Sequence, residues 1–115
     1  MVLIVDDDAD FINLTRLVLI KSGFEVCLAN SVSEAKIILA QKAVDLILCD
    51  ISMPGEPGQV LAQYIVEKKL TINFAFMTGH TEETLKAKQI EGFPVLHKPF
   101  NSKQLLDFIK NNFRK

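Results

Sequence analysis

Five short apolar runs alternate with longer stretches of helical periodicity, and no other feature of this chain restricts its fold as much. The runs cover residues 2–5, 24–28, 44–49, 72–77 and 94–96 and are rich in Val, Ile, Leu and Phe. Most carry apolar side chains at consecutive positions. Strands of that kind are buried on both faces, as in a parallel sheet covered by helices on its two sides. The intervening stretches supply the helices. Residues 9–21 place Phe11, Leu14 and Val18 on one face and end at Ser22-Gly23. Ser31 with Glu34 three residues on reads as a capping box opening a helix over 32–42. A third helix starts near Gly58, lined by Val60, Leu61, Tyr64 and Ile65. Thr81 caps a fourth, over 82–91, whose first turn is acidic. Its only large apolar residues are Leu85 and Ile90, so little holds it to the sheet. Ser102 caps the fifth, with Leu105, Phe108, Ile109 and Phe113 inward and Arg114-Lys115 at its end.

Strands and helices in unbroken alternation predict an α/β fold: a doubly wound five-stranded parallel sheet with helices on both faces and right-handed crossovers. The 115 residues make one domain, 1–115. A net charge of -1 without a basic stripe argues against nucleic-acid binding by this domain. The longest apolar runs fall far short of the roughly 20 residues a membrane span needs. No positively charged stretch precedes the first run, as a signal peptide requires. Cys27 and Cys49 sit inside apolar runs, as free core thiols do, and lack metal-site spacing. A reducing cytoplasm is the expected compartment.

Sheets of this kind bind ligands beyond the carboxyl ends of their strands. Asp6, Asp7 and Asp8 follow the first strand, Asp50 the third, Thr78 the fourth, and Lys98-Pro99 the fifth. Two carboxylates about 4 Å apart repel by roughly 4 kcal/mol at an effective dielectric near 20. Asp6, Asp7 and Asp50 would therefore raise one another's pKa unless a cation lies between them. A few carboxylates in an all-oxygen site suit Mg²⁺, which keeps several waters and accepts a phosphate oxygen. Asp50 can then act as a nucleophile on phosphorus. The acyl phosphate it forms has three terminal oxygens, for the metal, Lys98 and the Thr78 hydroxyl.

The motifs that carry these residues, VDDD, CDISMPG, MTGH and HKPF, resemble the receiver domain of two-component response regulators. The resemblance runs over essentially the whole chain, with four motifs in order and at matching spacing. It implies the strand order 2-1-3-4-5. It implies a phosphorylation-controlled switch in which Asp50 accepts a phosphoryl group from a sensor histidine kinase or a phosphotransfer protein. Such a domain catalyses its own phosphorylation and dephosphorylation only. Asp7 and Asp50 would ligate Mg²⁺ directly with the Ser52 carbonyl, Asp6 largely through water, and Lys98 would bind the phosphate before a cis Pro99. Asp8 lies just past the acidic pair and outside the ligand set. The surface of the fourth helix, fifth strand and fifth helix would change to control an effector domain or output protein. One departure concerns the aromatic residue that the family usually has three positions before the lysine, where this chain has Val95 and Phe93 is out of register. An aromatic rotamer switch in its usual form is therefore not expected.

Competing readings are weaker. Asp6-Asp7-Asp8 contains the Asp-x-Asp of a haloacid-dehalogenase-type phosphatase, with Asp6 as nucleophile, but Asp10 stands where that family wants Thr or Val. A flavodoxin-like flavin carrier needs hydroxyls and amides after the first strand, where three aspartates would repel a phosphate. Gly55, Gly58, Pro54 and Pro57 are first of all turn formers. His80 and His97 are read as solvent-facing, with His80 and the Ser52 side chain placed where they could influence an attacking water.

Overall fold

The computed structural model describes residues 1–53, 55–79 and 92–113. Within them run β1 (Val2–Val5), α1 (Ala9–Lys21), β2 (Val26–Ala29), α2 (Val32–Gln41), β3 (Leu46–Asp50), α3 (Gly58–Glu67), β4 (Asn73–Thr78), β5 (Val95–His97) and a last helix, Ser102–Asn112. The strands form one parallel sheet in the order β2-β1-β3-β4-β5. The helix expected over 82–91, together with Pro54, His80, Thr81, Arg114 and Lys115, lies outside the described residues.

Alternation along each strand divides the core into two layers. Leu3, Val5, Ile47, Cys49, Phe74 and Phe76 pack on one face with Ala35 of α2 and Leu61 and Ile65 of α3. Ile4, Leu46, Leu48, Ala75, Met77 and Leu96 pack on the other with Ile12 and Leu19 of α1 and Leu105 and Ile109 of the last helix. The apolar strands are thus covered on both sides, as their composition requires.

Four local expectations are corrected. The inward stripe of α1 is Ile12, Thr15 and Leu19, whereas Leu14 is 67% exposed. Thr15 takes an inward position because its hydroxyl donates to the Phe11 carbonyl at 2.9 Å, so no polar group is left unpaired. The last helix is capped by Asn101 and not by Ser102: the Asn101 side chain accepts from the Gln104 N–H, and the Gln104 side chain accepts from the Asn101 N–H. At α2, Ser31 does accept from the Glu34 N–H, but the Glu34 carboxylate returns to the Asn30 N–H, one residue before the cap. Strand β2 starts after the expected residue 24, because the chain first turns through Gly23 at φ +93°.

Candidate functional site

The register of the sheet brings the strand ends to one rim. Val5 pairs with Ala29 and Cys49, Asp50 with Met77, and Thr78 with His97. Asp50 and Thr78 are thereby the last residues of β3 and β4, while Asp6 and Lys98 directly follow β1 and β5. The Lys98 N–H donates to the Thr78 carbonyl at 2.8 Å, and the Lys98-Pro99 peptide is cis.

Asp6 is fully buried. Its Oδ1 accepts from the Asp8 N–H at 3.0 Å and its Oδ2 from Lys98 Nζ at 2.7 Å. Both oxygens are engaged, which is how a buried carboxylate stays compensated. Asp7 is exposed at the mouth. Asp8 points elsewhere: it is the N-cap of α1 and accepts from the Phe11 N–H at 3.1 Å. Its exclusion from the acidic set thus has a local cause, since a cap residue spends its side chain on the helix.

Asp50 is buried, with Lys98 Nζ 3.7 Å from its Oδ2. Burial pushes its carboxyl above the ordinary range, and the charges of Asp6 and Asp7 push the same way. Lys98 and a backbone hydrogen bond from Ser52 oppose them. One oxygen each of Asp6, Asp7 and Asp50 lie within 4.8 Å of one another. Three carboxylates against one ammonium leave two negative charges, the deficit a single divalent cation fills. The donors are hard oxygens, which favour Mg²⁺ over a soft metal. Cys49 does not alter that set. Burial and the charges of Asp50 and Asp6 hold it as a thiol, and it donates to the Asp50 carbonyl at 3.2 Å. Thr78 is completely buried at the same rim, and His97 is exposed.

Two features escaped sequence reasoning. Gly58, read as a turn former, is needed for space. A Cβ there would stand 2.3 Å from the Asp50 carbonyl oxygen, so the N-terminus of α3 reaches the acidic strand end only with glycine. The Gly58 N–H donates to the Ile51 carbonyl at 2.9 Å, fastening that approach. Phe93, out of register for a switch, is built into the core: its ring meets Phe74 at 5.4 Å and Phe76 at 5.8 Å, both edge to face. Val95 is half-buried beside Phe76.

The fold recurs in known proteins. The sequence model described as response regulator receiver domain matches residues 2–110. Protein PetR of Rhodobacter capsulatus is 34% identical over 105 residues, which are 90% of this chain and 44% of PetR. Response regulator SaeR of Staphylococcus aureus is 31% identical over 111 residues, 95% of this chain and 48% of SaeR. The chain thus spans less than half the length of these two relatives. Among solved structures, chemotaxis protein CheY4 of Vibrio cholerae superposes with a TM-score of 0.86 at 25% identity, covering 97% of each chain. A CheY-like receiver domain protein from Methanospirillum hungatei gives 0.83 at 27% identity, over 96% of this chain and 90% of the other.

Proposed function

The chain belongs to the response regulator receiver family, a family of signalling domains, and from that premise we propose that it is a switch operated by phosphorylation of Asp50. The observation that carries this reading is one buried carboxylate, Asp50, with two further carboxylates in metal-sharing distance and an ammonium 3.7 Å away. Asp50 suits the role better than Asp6, the nucleophile of the phosphatase alternative, because both Asp6 oxygens are already bonded.

In the proposed step, an Asp50 carboxylate oxygen attacks the phosphorus of a phosphohistidine on a sensor histidine kinase or phosphotransfer protein. The P–O bond forms as the P–N bond breaks, and the imidazole leaves with the electron pair and takes up a proton. A bound Mg²⁺ would neutralise charge on the transferring phosphoryl group, held by Asp7, Asp50 and the Ser52 carbonyl, with Asp6 reached through water. Lys98 leaves part of its contact with Asp6 to take a phosphoryl oxygen, and the Thr78 hydroxyl donates to another. The response would run through the loop 79–81 and the helix expected over 82–91 to a face shared with β5 and the last helix. That face would control an effector domain or a separate output protein. Val95 offers no ring to swing, so the loop and helix carry the change. The chain acts as an enzyme only on itself, in the cytoplasm. None of its described helices is long and apolar enough to cross a membrane.

The test is labelling by a small acyl phosphate with and without Mg²⁺. We expect label on Asp50, lost in Asp50→Asn and in metal-free protein. In a metal titration, Asp7→Ala should lose more Mg²⁺ affinity than Asp8→Ala. Undiminished labelling of Asp50→Asn rejects the assignment, and equal metal losses shift the ligand set by one residue.

A further inference from the structure

We propose that Phe11 is a positioning residue for Lys98, an inference that rests on the phosphoacceptor reading above. Among the described residues, the Lys98 ammonium has three recorded partners. Asp6 Oδ2 is at 2.7 Å, Asp50 Oδ2 at 3.7 Å, and the centroid of the Phe11 ring at 4.2 Å. An ammonium over an aromatic face is attracted by the ring's quadrupole, more strongly where water is excluded. The Lys98 side chain is only 22% exposed. The ring itself is held: Phe100 meets it edge to face, with centroids 5.4 Å apart and planes at 80°. Lys98 and Phe100 flank the cis Pro99, so one short loop supplies both the cation and the brace.

Of these three partners among the described residues, the two carboxylates are anionic and the ring is neutral. A divalent cation entering among Asp6, Asp7 and Asp50 competes with Lys98 for Asp6 and Asp50. An arriving phosphoryl group changes the charge at Asp50 again. The attraction to Phe11 is unaltered by either event. Lysine is a point charge on a flexible four-carbon stem, and ion pairing alone does not fix its direction. Phe11 therefore keeps the ammonium over Asp50 while its anionic partners are drawn away. The same residue contributes ordinary packing between α1 and the last-helix layer, which a substitution must preserve.

Phe11→Leu keeps apolar bulk and removes the ring; Phe11→Tyr keeps the ring. With saturating Mg²⁺ and acetyl phosphate, Phe11→Leu should label Asp50 about 3–10-fold more slowly and Phe11→Tyr within about twofold of the parent. In a Lys98→Met background the Leu substitution should change the rate by less than about twofold, since the ring then has no ammonium to hold. By NMR, the Lys98 ε-methylene protons should be shifted upfield by the ring in the parent and in Phe11→Tyr, and not in Phe11→Leu. Equal slowing in both backgrounds, no slowing at all, or an unshifted ε-methylene in the parent overturns the inference. A parent that shifts the ε-methylene but takes no label on Asp50 overturns the phosphoacceptor reading on which it rests.

Discussion

Each end of the sheet holds an aspartate beside an ammonium group, and the two pairs differ in almost everything but the charges. At the strand entry, the Met1 terminal ammonium meets Asp45, whose side chain is 62% exposed. At the strand exit, Lys98 meets Asp6, whose side chain is 0% exposed. Asp45 is also held through its backbone, donating to the Met1 carbonyl at 2.8 Å and accepting from the Asn73 N–H at 3.0 Å. Its place does not depend on its charge. Asp6 depends on its partners, because a lone carboxylate has no substitute for water at that depth. The same ion pair is thus surface decoration at one end and a requirement at the other. Among the described residues, three carboxylates crowd together at the buried end, the condition under which a cation would be drawn in.

The comparison breaks most visibly at Lys98. Lys98→Met retains the apolar stem and removes the charge, leaving Asp6, among the described residues, with the Asp8 N–H as its recorded donor. Loss of one partner of a buried pair typically costs about 3–5 kcal/mol. With Lys98 in part open to solvent, the expected destabilisation of the metal-free protein is about 3 kcal/mol by urea unfolding. Saturating Mg²⁺ should recover a part of it by binding only the folded acidic cluster. A cost below that of a surface pair would show that water reaches Asp6 and that the two ends are alike.

How much of this difference could be read beforehand varies with how local its cause is. Asp6, Asp50, Thr78 and Lys98 were legible because each ends an apolar run, and a parallel sheet brings such ends to one rim. The burial of Asp6 beside the exposure of Asp7 was not legible, since adjacent residues point to opposite sides and only the packed loop decides which is covered. The inward face of α1 was misread at Leu14 because a hydroxyl satisfied within the helix makes Thr15 as buriable as an apolar residue. The cap at the last helix turned on one residue. Gln104 stands three after Asn101, whereas Leu105 stands three after Ser102, and only the amide can return the hydrogen bond. Gly58 was beyond reach: its constraint is the Asp50 carbonyl at the end of β3.

The second prediction sharpens the claim that the exit rim is destabilised by its own charges. Burial, then Asp6 and Asp7, hold the Asp50 carboxyl above its ordinary value of 3.8. The folded state thus binds that proton more tightly than the unfolded chain. Without metal, the associated stability is present in full below the ordinary value. It is lost as pH rises through the raised one. Asp50→Asn carries no such charge. Above the raised value it should be more stable than the parent by on the order of 1 kcal/mol, with the gain fading as pH falls from the raised value toward the ordinary 3.8. Thermal unfolding of both proteins across pH, in chelator, measures this. Added Mg²⁺ should reverse the order, since the parent offers the cation a carboxylate that the variant lacks. A gain independent of pH would mean that the amide improves packing and that charge crowding is not the cause.

The smallest effect belongs to the entry end. Asp45→Asn removes the charge facing the Met1 ammonium and leaves both backbone hydrogen bonds of residue 45 in place. Exposed pairs contribute about 0–1 kcal/mol, since water solvates each charge nearly as well as the partner does and holding the side chain costs entropy. We expect a loss under about 0.5 kcal/mol at low salt, shrinking further as added salt shortens the Debye length to about 8 Å at physiological ionic strength and less beyond. Labelling of Asp50 should be unchanged, because Asp45 directly precedes the strand that Asp50 closes and four apolar residues of β3 separate them. The measurement is the urea midpoint in low and high salt, beside the Lys98→Met series. The screened and unscreened pairs then separate by response as well as by size. The Asp45 effect should vanish in salt, while most of the Lys98 effect persists, since monovalent salt screens a buried carboxylate such as Asp6 far less than an exposed one.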